Sequence, residues 1–215
     1  MPGTGVPVLT RSTCKKKRRD RLIRLAEAHA AWVLGYVDEV WWSRLAQPRL
    51  HTWSEDEPLH LMEHAPDKHD PDPKAVACYG VLRPDTQQIW LRFVEGRPVS
   101  ALTTQFLAWG CEQLYAEGKK AGLLVWDNAS WHLSAEVRNW IRAHNRLARQ
   151  SGGVRLLVCQ LPSRSPWLNP IEPRWMHGKR AVAAPERKLT AQELTQRVCD
   201  YYGFTLLPHL SKKVA

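Results

Sequence analysis

A chain of 215 residues accommodates one sizeable domain with its own core and leaves little room for a second. With 44% hydrophobic and 24% charged residues and no long apolar run, it excludes a transmembrane helix, and the basic residues near its start lack the apolar stretch of a secretion signal. The net charge of +10 is concentrated between Arg11 and Arg24, where eight Lys or Arg stand against one Asp. Such a segment suits a polyanion, most commonly nucleic acid; the plain alternative is a solvated basic helix.

Residues 1–14 are small, polar and Gly/Pro-containing, and read as disordered. Lys15 to Ala31 reads as a basic helix with Leu22, Leu25 and Ala26 on one side. Trp32 to Val37 is a short apolar run, a buried strand ending in Asp38. Residues 54–73 are acidic and rich in His and Pro, and read as a loop. His60, His64 and His69 with Asp67, Asp70 and Asp72 there offer a zinc reading, which the prolines weaken by breaking the helix that would align the ligands.

Strands are expected over Lys74–Leu82 and Gln88–Val94, joined by the turn Arg83-Pro84-Asp85. A helix fits Ser100–Glu117, where Leu102, Phe106 and Trp109 recur at helical spacing and Gly118 follows. Leu123–Trp126 is a further buried strand, again ending in an acid, Asp127. Ser134–Arg149 is an amphipathic helix, Val154–Cys159 a fifth strand, and Pro162–Pro170 a loop leading to Glu172 and a helical region. Thr190-x-x-Glu193 is a capping box that opens a last helix. Three strands followed by helix–strand alternation imply a mixed α/β sheet, antiparallel first and parallel later.

Asp38 and Asp127 each follow an apolar run, so each marks the carboxyl end of a strand, where open α/β sheets gather ligands. Two carboxylates meeting there repel unless a cation or proton relieves them, and Mg²⁺ suits a few carboxylates plus water or phosphate. Each Asp can equally be a turn former or helix N-cap. His132 reads as a structural partner or as a group bonding acids or phosphate. Glu172 has a local reading too: Asn169 as N-cap, Pro170 at the first helical position, and Glu172 closing a capping box.

Taken together, VDEVWW around Asp38, WDNASWH around Asp127 and LPSRSPWLNPIE ending at Glu172 resemble the three acidic motifs of DDE transposases. The resemblance is greatest to the mariner-type superfamily in its bacterial insertion-sequence 630 branch, and it spans about Trp32 to Ala183. It implies an RNase H-like fold: a mixed five-stranded sheet, three strands antiparallel and two parallel, flanked by helices. It divides the chain into a basic tail and helix over 1–31 and a catalytic domain over 32–215. Asp38, Asp127 and Glu172 become the catalytic acids and the ligands of two Mg²⁺ ions, with Mn²⁺ able to substitute. Asn128, His132 and Asn169 become their supporting polar residues.

The activity implied is metal-dependent DNA strand cleavage and strand transfer in transposition, with double-stranded transposon ends and target DNA as partners. A homodimer on paired ends is implied, in the cytoplasm on the bacterial nucleoid, with no membrane partner. The five scattered cysteines, never spaced as C-x-x-C, agree with a reducing compartment. Lys15, Lys16, Lys17, Arg18 and Arg19, with Arg174, Lys179 and Arg180, are the expected phosphate contacts.

Two departures stand out. Only 37 residues precede Asp38, so the helix-turn-helix region usual in the family is expected in an upstream reading frame or missing. Pro173, directly after Glu172, is expected to hold that acid toward extended geometry. These departures leave two alternatives: an inactive DNA-binding remnant, and an RNase H-type nuclease without strand transfer.

Overall fold

The computed structural model describes residues 11–45, 69–163, 165–183 and 187–212. Helix α1 (Arg11–Ala28) leads into strand β1 (Trp32–Ser43), then β2 (Ala75–Leu82) and β3 (Ile89–Val94). Helix α2 (Ser100–Ala116), strand β4 (Ala121–Trp126), helix α3 (Ala135–Ser151) and strand β5 (Arg155–Gln160) follow. Helices α4 (Ile171–Val182) and α5 (Ala191–Tyr202) complete the order. The five strands form one sheet, β3-β2-β1-β4-β5, with β1–β2 and β2–β3 antiparallel and β1–β4 and β4–β5 parallel. That is the mixed five-stranded, RNase H-like sheet the motifs imply.

β1 is longer than the apolar run Trp32–Val37 suggests, and Asp38 lies within it rather than at its end. Past Asp38 the strand alternates, with Val40 and Trp42 inward and Trp41 outward, a period of two that an acidic pair obscures. Its two halves have different neighbours. Trp32–Tyr36 pairs with β4, whereas Tyr36–Ser43 pairs with β2. Asp38 therefore sits just beyond the point where β1 parts from β4, and the same register extended two steps sets it beside Asp127.

Strand alternation builds a core on each face. Leu34, Tyr36, Val40 and Trp42 of β1 pack with α4, α5 and Leu22 of α1, while Val33 and Val37 pack with α2. Helix α1 starts earlier than expected, at Arg11, and lies across β1 and β5 with Leu22 in the core. The expected disorder over residues 1–14 falls outside the described residues for 1–10. Arg44, buried at the end of β1, makes a two-pronged ion pair with Asp70 and donates to the Leu189 and Pro73 carbonyls. Asp70 also binds Lys188, and Asp72 accepts from the Ala191 N–H at the start of α5. These two acids of the zinc alternative thus serve as structural anchors; His60, His64 and Asp67 lie outside the described residues.

Candidate active site

Asp38 is 9% exposed on β1, and its Oδ2 accepts a 2.9 Å hydrogen bond from the indole Nε1 of Trp175 on α4. Burial, then the nearby charges of Glu172 and Glu39, push its carboxyl up to about 8, against the opposing hydrogen bond from Trp175. Glu172 is half-buried in the first turn of α4. Burial raises its carboxyl above the usual range, Asp127 raises it further, and Lys179 opposes both.

Asp127 follows β4 directly. Its Oδ1 accepts from the Ala129 N–H at 2.9 Å and meets His132 Nδ1 at 2.8 Å. Burial alone would push Asp127 up, yet the hydrogen bonds from His132 and Ala129 hold it below its ordinary value. The other ring nitrogen of His132, Nε2, meets Glu39 Oε1 at 2.7 Å. His132 is 1% exposed and stacks on Trp126 with centroids 4.4 Å apart and planes 4° from parallel. Burial disfavours its cation, but hydrogen bonds to Asp127 and Glu39 outweigh that and raise it to about 9. At neutral pH His132 is an imidazolium donating to a carboxylate from each nitrogen.

Asp127 and Glu172 line one open cleft of about 330 Å³, together with Asn128, Asn169, Ser163 and Ser165. Asp38 lies outside the residues lining that cleft, but Glu172 acts electrostatically on Asp38 and Asp127 on Glu172, so the three expected acids are near one another. As a set they are less tightly drawn than three donors all within 4.8 Å, a closeness that among the described residues belongs to Glu39, Asp127 and His132. In that tighter trio both ring nitrogens of His132 are already bonded to carboxylates, so binding a metal there would cost one of those hydrogen bonds. The donor chemistry of Asp38, Asp127 and Glu172 does fit a divalent cation. Two of the three are raised by burial and by neighbouring negative charge, and among the described residues no Lys or Arg forms an ion pair with any of them.

Three expectations about the supporting residues change. Asn128 lines the cleft with Asp127 and Glu172, but among the described residues its side chain makes no hydrogen bond to the acids. Its Nδ2 donates to the Leu161 carbonyl at 2.7 Å and its Oδ1 accepts from Lys15 at 2.7 Å, which ties the ends of β4 and β5 to α1. Asn169 is not a side-chain N-cap: Pro170 takes the cap position, and the Asn169 amide donates 3.2 Å to the Val37 carbonyl, one residue before Asp38. Pro173 does not hold Glu172 in an extended pose. It falls in the first turn of α4, where no backbone donor is required, so the helix forms around it.

Among the expected phosphate contacts, Lys15 is engaged with Asn128 and the Leu161 carbonyl, and Arg19 pairs with Asp20. Lys16, Lys17, Arg18, Arg174, Lys179 and Arg180 are exposed, Arg174 donating to Gln87. Sequence reasoning missed a second basic feature. Lys17, Arg18 and Arg21 of α1 and Arg138 and Arg142 of α3 line an open groove of about 960 Å³ along β5. It also missed Glu39, which sits next to an expected ligand but on the opposite face of the strand.

The sequence profile described as DDE superfamily endonuclease matches residues 34–195. No curated protein sequence matches the chain. Among solved structures, the Mos1 mariner paired-end complex with Mn superposes with a TM-score of 0.60 at 14% identity, over 94% of this chain and 59% of that one. The catalytic domain of Mos1 mariner transposase superposes with a TM-score of 0.53 at 13% identity, over 92% and 85%. At such identities the likeness is one of fold. The chain spans about 58% of the Mos1 transposase bound to its left transposon end. With the profile covering most of the chain, the protein belongs to the DDE superfamily endonuclease family.

Proposed function

We propose that this chain is the catalytic part of a transposase of the insertion-sequence 630 branch, cleaving DNA strands and joining their 3′ ends to target DNA. The reading is carried by one observation: Asp38, buried on β1 and raised to about 8, feels the charge of Glu172, which lines one cleft with Asp127, and among the described residues no Lys or Arg forms an ion pair with any of the three. Asp38, Asp127 and Glu172 would hold Mg²⁺, as two ions with Mn²⁺ able to substitute. Bound there, the cations would polarise the scissile phosphate and activate the attacking water or 3′-hydroxyl.

The chain's own residues do the remaining work. Trp175 holds one oxygen of Asp38, leaving that carboxylate in a fixed orientation. His132 and the Ala129 N–H do the same for Asp127. Asn169 draws the turn before Glu172 against β1. Lys16, Arg174, Lys179 and Arg180, with the cations of the β5 groove, would neutralise phosphates of double-stranded DNA. Residues 32–215 make up the catalytic domain, α1 being the basic helix packed on its sheet. Pairing of two transposon ends in a homodimer, and end recognition by an upstream helix-turn-helix region, complete the proposal.

Nicking of supercoiled plasmid tests it. The chain should nick with Mg²⁺ and stop on chelation, and Asp127→Asn should abolish nicking while DNA affinity is kept. Nicking by Asp127→Asn at the wild-type rate would overturn the assignment. Joining of pre-cut ends to a target separates a transposase from a nuclease without strand transfer.

A further inference from the structure

Glu39 has no part in the three-acid scheme, yet its side chain is largely enclosed and held at short range by the rings of His132 and Trp131. Its neighbour Asp38 faces α4, so strand alternation turns Glu39 to the opposite face of the sheet, toward the stretch that follows β4. There Oε1 meets His132 Nε2 at 2.7 Å and accepts from Trp131 Nε1 at 3.2 Å. The side chain of Glu39 is 7% exposed and that of His132 is fully buried. His132 in turn reaches Asp127 Oδ1 at 2.8 Å, with its ring plane set by the stack on Trp126.

The result is an unbroken line from β1 to Asp127. One end is fixed in the central strand and the ring in the middle is fixed by packing. The far end holds one oxygen of Asp127, whose side chain is 52% exposed at the cleft. Without that line the Ala129 N–H would be the one remaining hydrogen-bond partner of the Asp127 side chain among the described residues, in a stretch that belongs to neither β4 nor α3.

We propose that Glu39 is a positioning residue: through His132 it sets the orientation of the Asp127 carboxylate relative to Asp38, its own neighbour on β1. This rests on the reading that Asp38, Asp127 and Glu172 hold divalent cations. Outer partners of this kind typically change metal affinity by about 10–100-fold when removed. Because the role is geometric, it depends on where the Oε1 oxygen lies more than on the charge it bears.

Two substitutions separate those properties. Glu39→Gln keeps an accepting oxygen at the same reach and loses the charge. Glu39→Asp keeps the charge and withdraws the oxygen by about one carbon–carbon bond, beyond hydrogen-bond distance of Nε2. Mn²⁺ binding to the full chain without DNA, followed by electron paramagnetic resonance, reads the outcome, with thermal melting run alongside to confirm folding. We expect Glu39→Asp to weaken Mn²⁺ binding about tenfold or more and Glu39→Gln to lose clearly less. The reverse order, equal losses, or wild-type binding by both variants overturns the positioning role. A wild-type chain that binds no Mn²⁺ removes the metal reading itself, and this inference with it.

Discussion

Gly80 lies directly across the β1–β2 ladder from Asp38, and the indole of Trp175 occupies the space a side chain at position 80 would take. The missing Cβ is what lets Trp175 come down onto the sheet and donate to Asp38. Gly80→Ala should therefore push Trp175 out of register. The expected cost is about 1–3 kcal/mol of overpacking, a fall in Tm of roughly 2–10 °C, read by thermal melting. An unchanged Tm would show that the ring has room to give.

Asp38 makes metal affinity depend on pH. A ligand must be ionised, and the Asp38 carboxyl, pushed up to about 8, keeps its proton at neutral pH in the metal-free protein. Cation binding should thus release a proton below pH 8. Titration calorimetry in buffers of different ionisation heat should find it, with affinity rising on the order of tenfold per pH unit up to about 8 and flattening above. Affinity independent of pH between 6 and 8 would mean that Asp38 is already ionised.

The pair of Asp127 and His132 has its own pH window. His132, raised to about 9 from an ordinary value near 6.5, contributes stability that is full below the unfolded value and is lost as pH rises through about 9. Asp127, held below its ordinary value, contributes stability that is lost as pH falls through its own folded value. The difference in Tm between wild type and His132→Asn should be widest around pH 5–7 and narrow above pH 9. A difference constant from pH 6 to pH 10 would place the His132 contribution in packing on Trp126 alone.

The groove along β5 has a salt signature. If Arg21, Arg138 and Arg142 meet phosphates, replacing all three with Ala should weaken binding to duplexes of any sequence. It should also flatten the plot of log affinity against log salt by roughly 0.9 per lost contact. Weaker binding with an unchanged slope would mean the arginines shape the groove without touching phosphate.

Part of the candidate site is legible in the sequence, because the strands carry strong apolar runs and Asp38 and Asp127 lie close to one, whereas Glu172 follows a Pro/Ser loop and stands out only through its motif. Leu123–Trp126 announces β4, and Asp127 does follow it directly. The extent of β1 is less legible, since Asp38 and Glu39 interrupt its pattern and a two-residue acidic break looks like a strand end. Glu39 could be found only by asking where the next residue of a strand points once Asp38 faces the acids. Trp175 and Gly80 are far apart in the chain and meet only when α4 lies on the sheet. Pro173 misleads because its effect depends on the turn of helix it occupies. Arg138 and Arg142 read as the solvated side of α3; the groove exists only because α1 lies on the other side of β5.

The central claim is that Asp38, Asp127 and Glu172 together hold divalent cations. Anomalous difference maps from crystals of the chain soaked in Mn²⁺ test it most directly. A peak is expected within coordination distance of those three carboxylates, with His132 still bridging Glu39 and Asp127. A peak ligated by Glu39 and His132 in place of Asp38 and Glu172, or none near these acids, would contradict it.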